Sequence, residues 1–320
     1  MPVSMDRRAV LAGGLALLAG SALPLPAATA SGFFARRGIP IGLQLYTMAE
    51  SARTALEATL ARIASLGYET LELAGLHGHG AAQLRATADR AGLKLLSTHV
   101  SADARPGELA LEGDLHSTAA QLHVLGVTDV VMPMFSIPTR LGAPAAGEGF
   151  LAYLQRIATQ LTADDWQRTA EQLNRYGRAL QREGLRFGYH NHNPEFAPLP
   201  GDRTGFEILL GATDPALVHF ELDTGWAAAA GHDPGQLIRS HSRRITQLHV
   251  KDIRATTRTN FALSQDPTEV GSGKLDWPAL LAAADAAGIR RYFVEQEPPF
   301  PGDRFDSIAR SLRYLKSLPG

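Results

Sequence analysis

Four short stretches in the second half of the chain alternate imidazole or carboxylate groups with other residues. They are His190-Asn191-His192, Glu221-Leu222-Asp223, His249-Val250-Lys251 and Glu295-Gln296-Glu297. Residues two apart on a strand share a face, so each stretch presents its two outer side chains in one direction. Converging His, Asp and Glu groups form an N/O donor set suited to one divalent ion: Mn²⁺, Zn²⁺, Co²⁺, Fe²⁺ or Mg²⁺. A single histidine at a strand end is ordinarily a satisfied buried group. Four polar pairs on successive strands point instead to a shared ligand. The chain has no cysteine, which excludes thiolate metal sites, disulfides and a Cys nucleophile.

Positioning these groups requires strands that end at one level. Eight short apolar runs qualify: 39–46, 70–73, 93–97, 129–132, 185–190, 218–223, 245–250 and 292–295. Their β-rich, nearly continuous apolar character fits buried parallel strands. Helical patterns lie between them, at 52–66, 81–91, 115–125, 164–182, 277–287 and 305–318. Five helix-to-strand junctions carry glycine (Gly67, Gly92, Gly126, Gly184 and Gly288), the residue that a short αβ loop needs where φ is positive. Strict alternation implies a parallel sheet, and eight units fit one closed (β/α)8 TIM barrel in the α/β class. No G-x-G-x-x-G follows the first run, which disfavours a dinucleotide-binding open sheet. Two connections are long, from Met134 to about Thr162 and from Ile253 to about Leu275. Both follow strand C-terminal ends, where barrels build their sites, and both are expected to cover the site. Gly271-Ser272-Gly273-Lys274 is too short for a P-loop.

Composition narrows the class. With 31 basic and 32 acidic residues the formal net charge is −1, which argues against nucleic-acid binding. Hydrophobic residues make up 45%, enough for a packed core. At the N-terminus, Arg7-Arg8 precedes the apolar run 9–20 and a small-residue site at Ala28-Thr29-Ala30. That run is too short to span a bilayer and has the form of a twin-arginine export signal. Residues 1–30 are therefore expected to be a signal peptide and residues 31–320 the barrel. The mature protein is expected in the periplasm or otherwise exported, with no membrane attachment after cleavage. Met5 is an alternative start.

The sequence resembles the xylose isomerase-like barrel superfamily, in its sugar phosphate isomerase/epimerase branch. The superfamily also includes hydroxypyruvate isomerase, inosose dehydratases and endonuclease IV-type AP endonucleases. The resemblance is carried by Ile41–Tyr46, Gly67–Leu73, Gly188–His192 with Glu195-Phe196, Leu222–Trp226, Leu248–Asp252, Gly271–Trp277 and Phe293–Glu297. It implies a metal held by one residue from each of the last four strands: His190, Asp223, His249 and Glu295. One departure matters. Epimerases of the superfamily use a Glu on the fifth strand, where this chain has His190. Two-base epimerisation is thereby disfavoured, and one-base isomerisation or proton abstraction followed by β-elimination gains. Trp226 stands where the endonuclease pattern has a His, which opposes that branch.

The reading expected first is a divalent-metal-dependent sugar isomerase or epimerase that removes a proton beside a carbonyl through an enediolate. Glu295, Glu297, His192 and Lys251 are the candidate acid–base groups. Burial beside a cation would lower the pKa of Lys251. Gln44, Glu72, His99 and Trp226 are the candidate substrate contacts. Two alternatives stand beside it: a lyase or hydrolase of 3-keto-glycosides, and a non-catalytic periplasmic sugar-binding protein or partner subunit. The expected partner is a small carbohydrate, with self-association left open.

Overall fold

The computed structural model describes Met1, residues 32–103 and residues 105–320. The expected export signal lies outside the described residues. No helix among the described residues is long and apolar enough to cross a membrane.

Eight parallel strands close into a barrel: β1 (Gly42–Gln44), β2 (Thr70–Ala74), β3 (Lys94–His99), β4 (Asp129–Met132), β5 (Arg186–His190), β6 (His219–Asp223), β7 (Ile245–Val250) and β8 (Arg291–Val294). Each pairs with its sequence neighbours, and β8 pairs with β1 to complete the ring. The helices Leu56–Leu66, Ala81–Ala91, Leu115–Leu125, Ala163–Arg182, Gly205–Ala212, Pro234–Ser240, Trp277–Ala286 and Arg304–Ser317 follow the strands in turn. All five junction glycines take positive φ, from 73° to 101°, where a Cβ would be strained.

The expected boundaries shift in informative ways. The first run shortens to Gly42–Gln44, because the chain turns into a 3₁₀ segment at Leu45–Met48. There the Gln44 side chain accepts from the Tyr46 N–H at 3.1 Å. The expected helix at 52–66 divides into Ala49–Thr54 and Leu56–Leu66, since Ala55 leaves helical backbone with φ −147°. The eighth strand ends at Val294, so Glu295 stands just past it, and His192, Lys251 and Glu297 likewise lie beyond their strands. Period-two reasoning therefore applies within β6, whereas loop geometry places the other pairs.

Apolar residues facing outward from the strands, such as Leu71, Val130, Phe220, Leu248 and Val294, are wholly buried, as a barrel sheathed in helices requires. At one end the interior is filled by Phe293. A Cβ on its neighbour Gly42 would come within 2.5 Å of that ring. Towards the strand C-termini the interior turns polar, in two levels. The lower one holds Glu72, Ser97, Glu221 and Gln247, and the upper one His99, Asp223 and His249.

The Met134–Thr162 connection contains the helix Phe150–Ala158. In the connection after β7, Asp252–Ile253 pairs antiparallel with Pro267–Thr268. The Gly271–Lys274 segment wraps the buried Asp252 carboxylate. That group accepts from the N–H of Gly271 (3.0 Å), Gly273 (3.2 Å) and Leu275 (3.3 Å) and from Trp277 Nε1 (2.8 Å). Those glycine amides thus serve a carboxylate of the chain itself.

Candidate metal centre

Glu221 is the hub of the barrel interior. Its Oε1 lies 2.9 Å from His190 Nδ1, 2.9 Å from His99 Nε2 and 2.9 Å from His249 Nε2. Gln247 Nε2 donates to Oε2 at 2.6 Å. Glu72 supports the same layer: its Oε1 accepts from Gln44 Nε2 at 2.8 Å and lies 2.6 Å from His249 Nε2. Each imidazole of the pair His190 and His249 thus has one nitrogen held against a carboxylate. The other nitrogens face the barrel mouth. His190 Nε2 is 3.9 Å from Asp223 Oδ2, while His249 Nδ1 is 3.7 Å from Asp223 Oδ2 and 2.9 Å from Glu295 Oε2.

This arrangement fits a small divalent ion. Metal-binding histidines characteristically give their second nitrogen to a carboxylate, which sets the ring and the tautomer. Asp223 Oδ1 accepts from the Trp226 N–H at 2.8 Å, and its buried Oδ2 faces His190 Nε2 and His249 Nδ1 with the Lys251 ammonium 2.8 Å away. Potential ligand atoms fall into two groups within 4.8 Å: His99, His190, Glu221 and His249, and Asp223, His249 and Glu295. The expected set His190, Asp223, His249 and Glu295 bridges the two groups at His249.

Lys251 provides the fixed positive charge. Its Nζ is 2.8 Å from Asp223 Oδ2, 2.7 Å from Glu295 Oε2 and 2.7 Å from Glu297 Oε1. Burial would lower its pKa, but Asp223, Glu295 and Glu297 outweigh burial and hold it well above the ordinary lysine value. The expected lowering of the Lys251 pKa presupposes burial beside a cation; the three carboxylates that surround the ammonium act the other way. For His99, burial is likewise outweighed by Glu72 and Glu221, and its pKa rises to about 9. Burial pushes the His192 pKa well below the usual histidine value, helped by neighbouring His190 and Lys251. Its Nδ1 has no hydrogen-bond partner among the described residues. Burial raises Glu297 above the ordinary carboxylate range, Lys251 opposing.

A cleft of about 750 Å³ opens above these groups. His99, His190, His192, Trp226, Glu295 and Glu297 line it, together with residues of both long connections, including Phe150, Leu154, Leu263 and Gln265. Trp226 packs 5.4 Å from the His192 ring and donates from Nε1 to Glu297 at 3.2 Å. Gln44 and Glu72 are placed differently: both are fully buried in the layer below and are not part of the cleft lining. Sequence reasoning did not assign roles to Glu221, Gln247 and Ser97. For Glu221 the signal was present, since it sits two residues before Asp223 on one strand face.

Residues 60–318 match the family described as xylose isomerase-like TIM barrel. The inosose dehydratase of Geobacillus kaustophilus is 29% identical over 200 residues, 61% of this chain and 61% of that enzyme. That of Bacillus anthracis is 36% identical over 95 residues, 29% of this chain and 30% of the enzyme. The chain therefore spans less than two thirds of the length of these relatives. A crystal structure of a sugar phosphate isomerase/epimerase from Parabacteroides distasonis superposes with a TM-score of 0.69 at 25% identity, covering 87% of this chain and 97% of that one. With the family match running from within the helix Leu56–Leu66 across β2–β8 to the last helix, the chain belongs to the xylose isomerase-like TIM barrel family.

Proposed function

We propose that this chain is a divalent-metal-dependent enzyme that removes the proton beside the carbonyl of a cyclic polyol ketone or keto-sugar and then eliminates a neighbouring hydroxyl as water. The observation that carries this reading is the pair His190 and His249, each pinned through one nitrogen by Glu221 and turned by the other towards Asp223 and Glu295. His190, Asp223, His249 and Glu295 would hold the ion. When bound, it supplies Lewis-acid stabilisation of the charge that develops on the substrate carbonyl oxygen.

The remaining roles follow from the side chains themselves. Glu295 is committed to the donor set, and Glu297 is bound by Lys251 and Trp226. That leaves His192 as the proton acceptor: its imidazole is neutral and lines the cleft, and its buried Nδ1 has no hydrogen-bond partner among the described residues. The C–H electron pair becomes the enolate double bond as His192 takes the proton. On elimination that pair forms the new C=C bond, and the departing hydroxide leaves with the C–O electrons. His192, which lines the cleft, returns its proton to form water and regains its neutral state, while Lys251 stays fixed as an ammonium among three carboxylates. With one base group and no second carboxylate on β5, inversion at carbon lacks the acid–base pair it needs.

The inosose dehydratase relatives support elimination. Isomerisation is the second reading, supported by the sugar phosphate isomerase/epimerase neighbour. Incubation of the metal-loaded full chain with keto-inositols and free ketoses in D₂O separates them. Loss of one water by mass spectrometry supports elimination. Deuterium uptake with the mass otherwise conserved supports isomerisation. Metal content below about a tenth per chain with neither outcome would overturn the proposal. Export is proposed alongside it: Arg7→Lys with Arg8→Lys should retain the protein in the cytoplasm on fractionation, and unchanged export would refute that reading.

A further inference from the structure

Apart from Met1, four large hydrophobic side chains are exposed among the described residues: Tyr46, Val124, Phe150 and Leu151. Three of them, Tyr46 (50% exposed), Phe150 (51%) and Leu151 (59%), line the same cleft as the candidate metal centre. Exposed apolar side chains gathered at one place mark a binding surface, whereas scattered ones need no explanation. Phe150 and Leu151 open the helix Phe150–Ala158, whose buried face includes Leu154. Phe150 stands one turn before Leu154 on that face. The apolar stripe that seats the helix thus runs on past its packing contact and out into the cleft.

Imidazoles and carboxylates line the floor of the cleft, and Tyr46, Phe150 and Leu151 form a largely apolar rim that also carries Arg105, 5.8 Å over the Phe150 ring. At about 750 Å³ it falls in the size range of clefts that enclose drug-sized ligands, larger than one sugar ring requires. Three exposed side chains are far too few for a stable protein interface, which takes about 800 Å² from each partner. The rim is also continuous with the reactive floor.

We propose that the rim is a subsite for an aromatic substituent carried by the substrate, so that the sugar on the polar floor is the glycosyl part of an aryl glycoside, a keto-glycoside where the reaction above applies, and not a free monosaccharide. This rests on the reading above only in placing the sugar ring on the polar floor. The test is calorimetric titration of the purified full chain with phenyl β-D-glucoside and methyl β-D-glucoside. The phenyl compound should bind about tenfold tighter, and Phe150→Ala should weaken it about three- to tenfold and close the gap between the probes. Val124→Ala, exposed elsewhere, should leave the gap intact. Equal binding of the two probes, or a preference that survives the Phe150→Ala/Leu151→Ala double variant, would overturn the subsite. So would a double variant that dissolves a dimer in sedimentation without changing phenyl glucoside binding. The chemistry is scored separately: aryl preference without deuterium exchange on any ketone sinks the reaction and leaves the subsite standing, and exchange without aryl preference does the reverse.

Discussion

The two ends of the barrel each hold a charge cluster around buried carboxylate, and they are built oppositely. At the strand N-termini, fully buried Asp129 faces Arg186 at 3.5 Å, His219 at 3.6 Å and, closest, Arg291. These four residues open β4, β5, β6 and β8. One carboxylate there meets two guanidinium groups. At the strand C-termini, Asp223, Glu295 and Glu297 share the single ammonium of Lys251, with Glu72 and Glu221 held by histidines below. Buried carboxylates in surplus call for a cation. The N-terminal cluster already holds its cations and closes the barrel, while the C-terminal cluster lies under a cleft and has donor atoms to spare. The same residue types thus make a structural plug at one end and a candidate metal site at the other, in line with the general division of barrel faces.

The largest effect that should separate the two ends is Asp223→Asn. It keeps the shape and removes the charge, and turnover on a responsive ketone should fall by about a thousandfold with the melting temperature little changed. Retained turnover with retained metal would dissolve the distinction. Next, Lys251→Met leaves buried Asp223 and Glu295 and the half-buried Glu297 without their ammonium and should cost about 3 kcal/mol in urea unfolding of the metal-free chain. Added Mn²⁺ should restore more stability to this variant than to the wild type, and equal gains would show that the ammonium and the ion occupy unrelated places. At the other end, Asp129→Asn should cost about 2 kcal/mol and leave metal content per chain unaltered. A loss of metal there would mean that the plug governs the site.

The smallest effect concerns pH. Burial lowers the pKa of His219 to about 4, only partly opposed by Asp129. Between about pH 6.5 and 4 the unfolded chain binds a proton that the folded chain does not, so stability is full above 6.5 and declines as pH falls towards 4. His77, also lowered to about 4 by burial, contributes in the same sense. His219→Gln should flatten part of this decline in acid unfolding curves. An unchanged slope would place the acid sensitivity elsewhere.

Much of this was legible before any coordinates. Alternating apolar runs and glycine junctions gave the barrel, and the four polar stretches gave the end of it that matters. Boundaries were less legible, because Gln44 capping its own turn and Ala55 leaving the helix are local events beneath the resolution of periodicity. Gln44 and Glu72, expected as substrate contacts, are pointed by the closed ring into the buried layer. The charge surroundings of Lys251 are illegible in the sequence for a related reason. Its surroundings are set by three separate segments, at Asp223, Glu295 and Glu297.

The sequence by itself determined the fold class, the polar strand ends and the absence of thiolate chemistry, since composition and period-two alternation are local properties. Only the tertiary structure decided the pairings. The bond between His249 and Glu72 joins residues 177 positions apart, and Glu221 gathers histidines from three different strands. No local pattern encodes which side chains meet across a barrel. Ring closure, the parallel register and the filling of the interior do, and these exist only when all eight strands are in place.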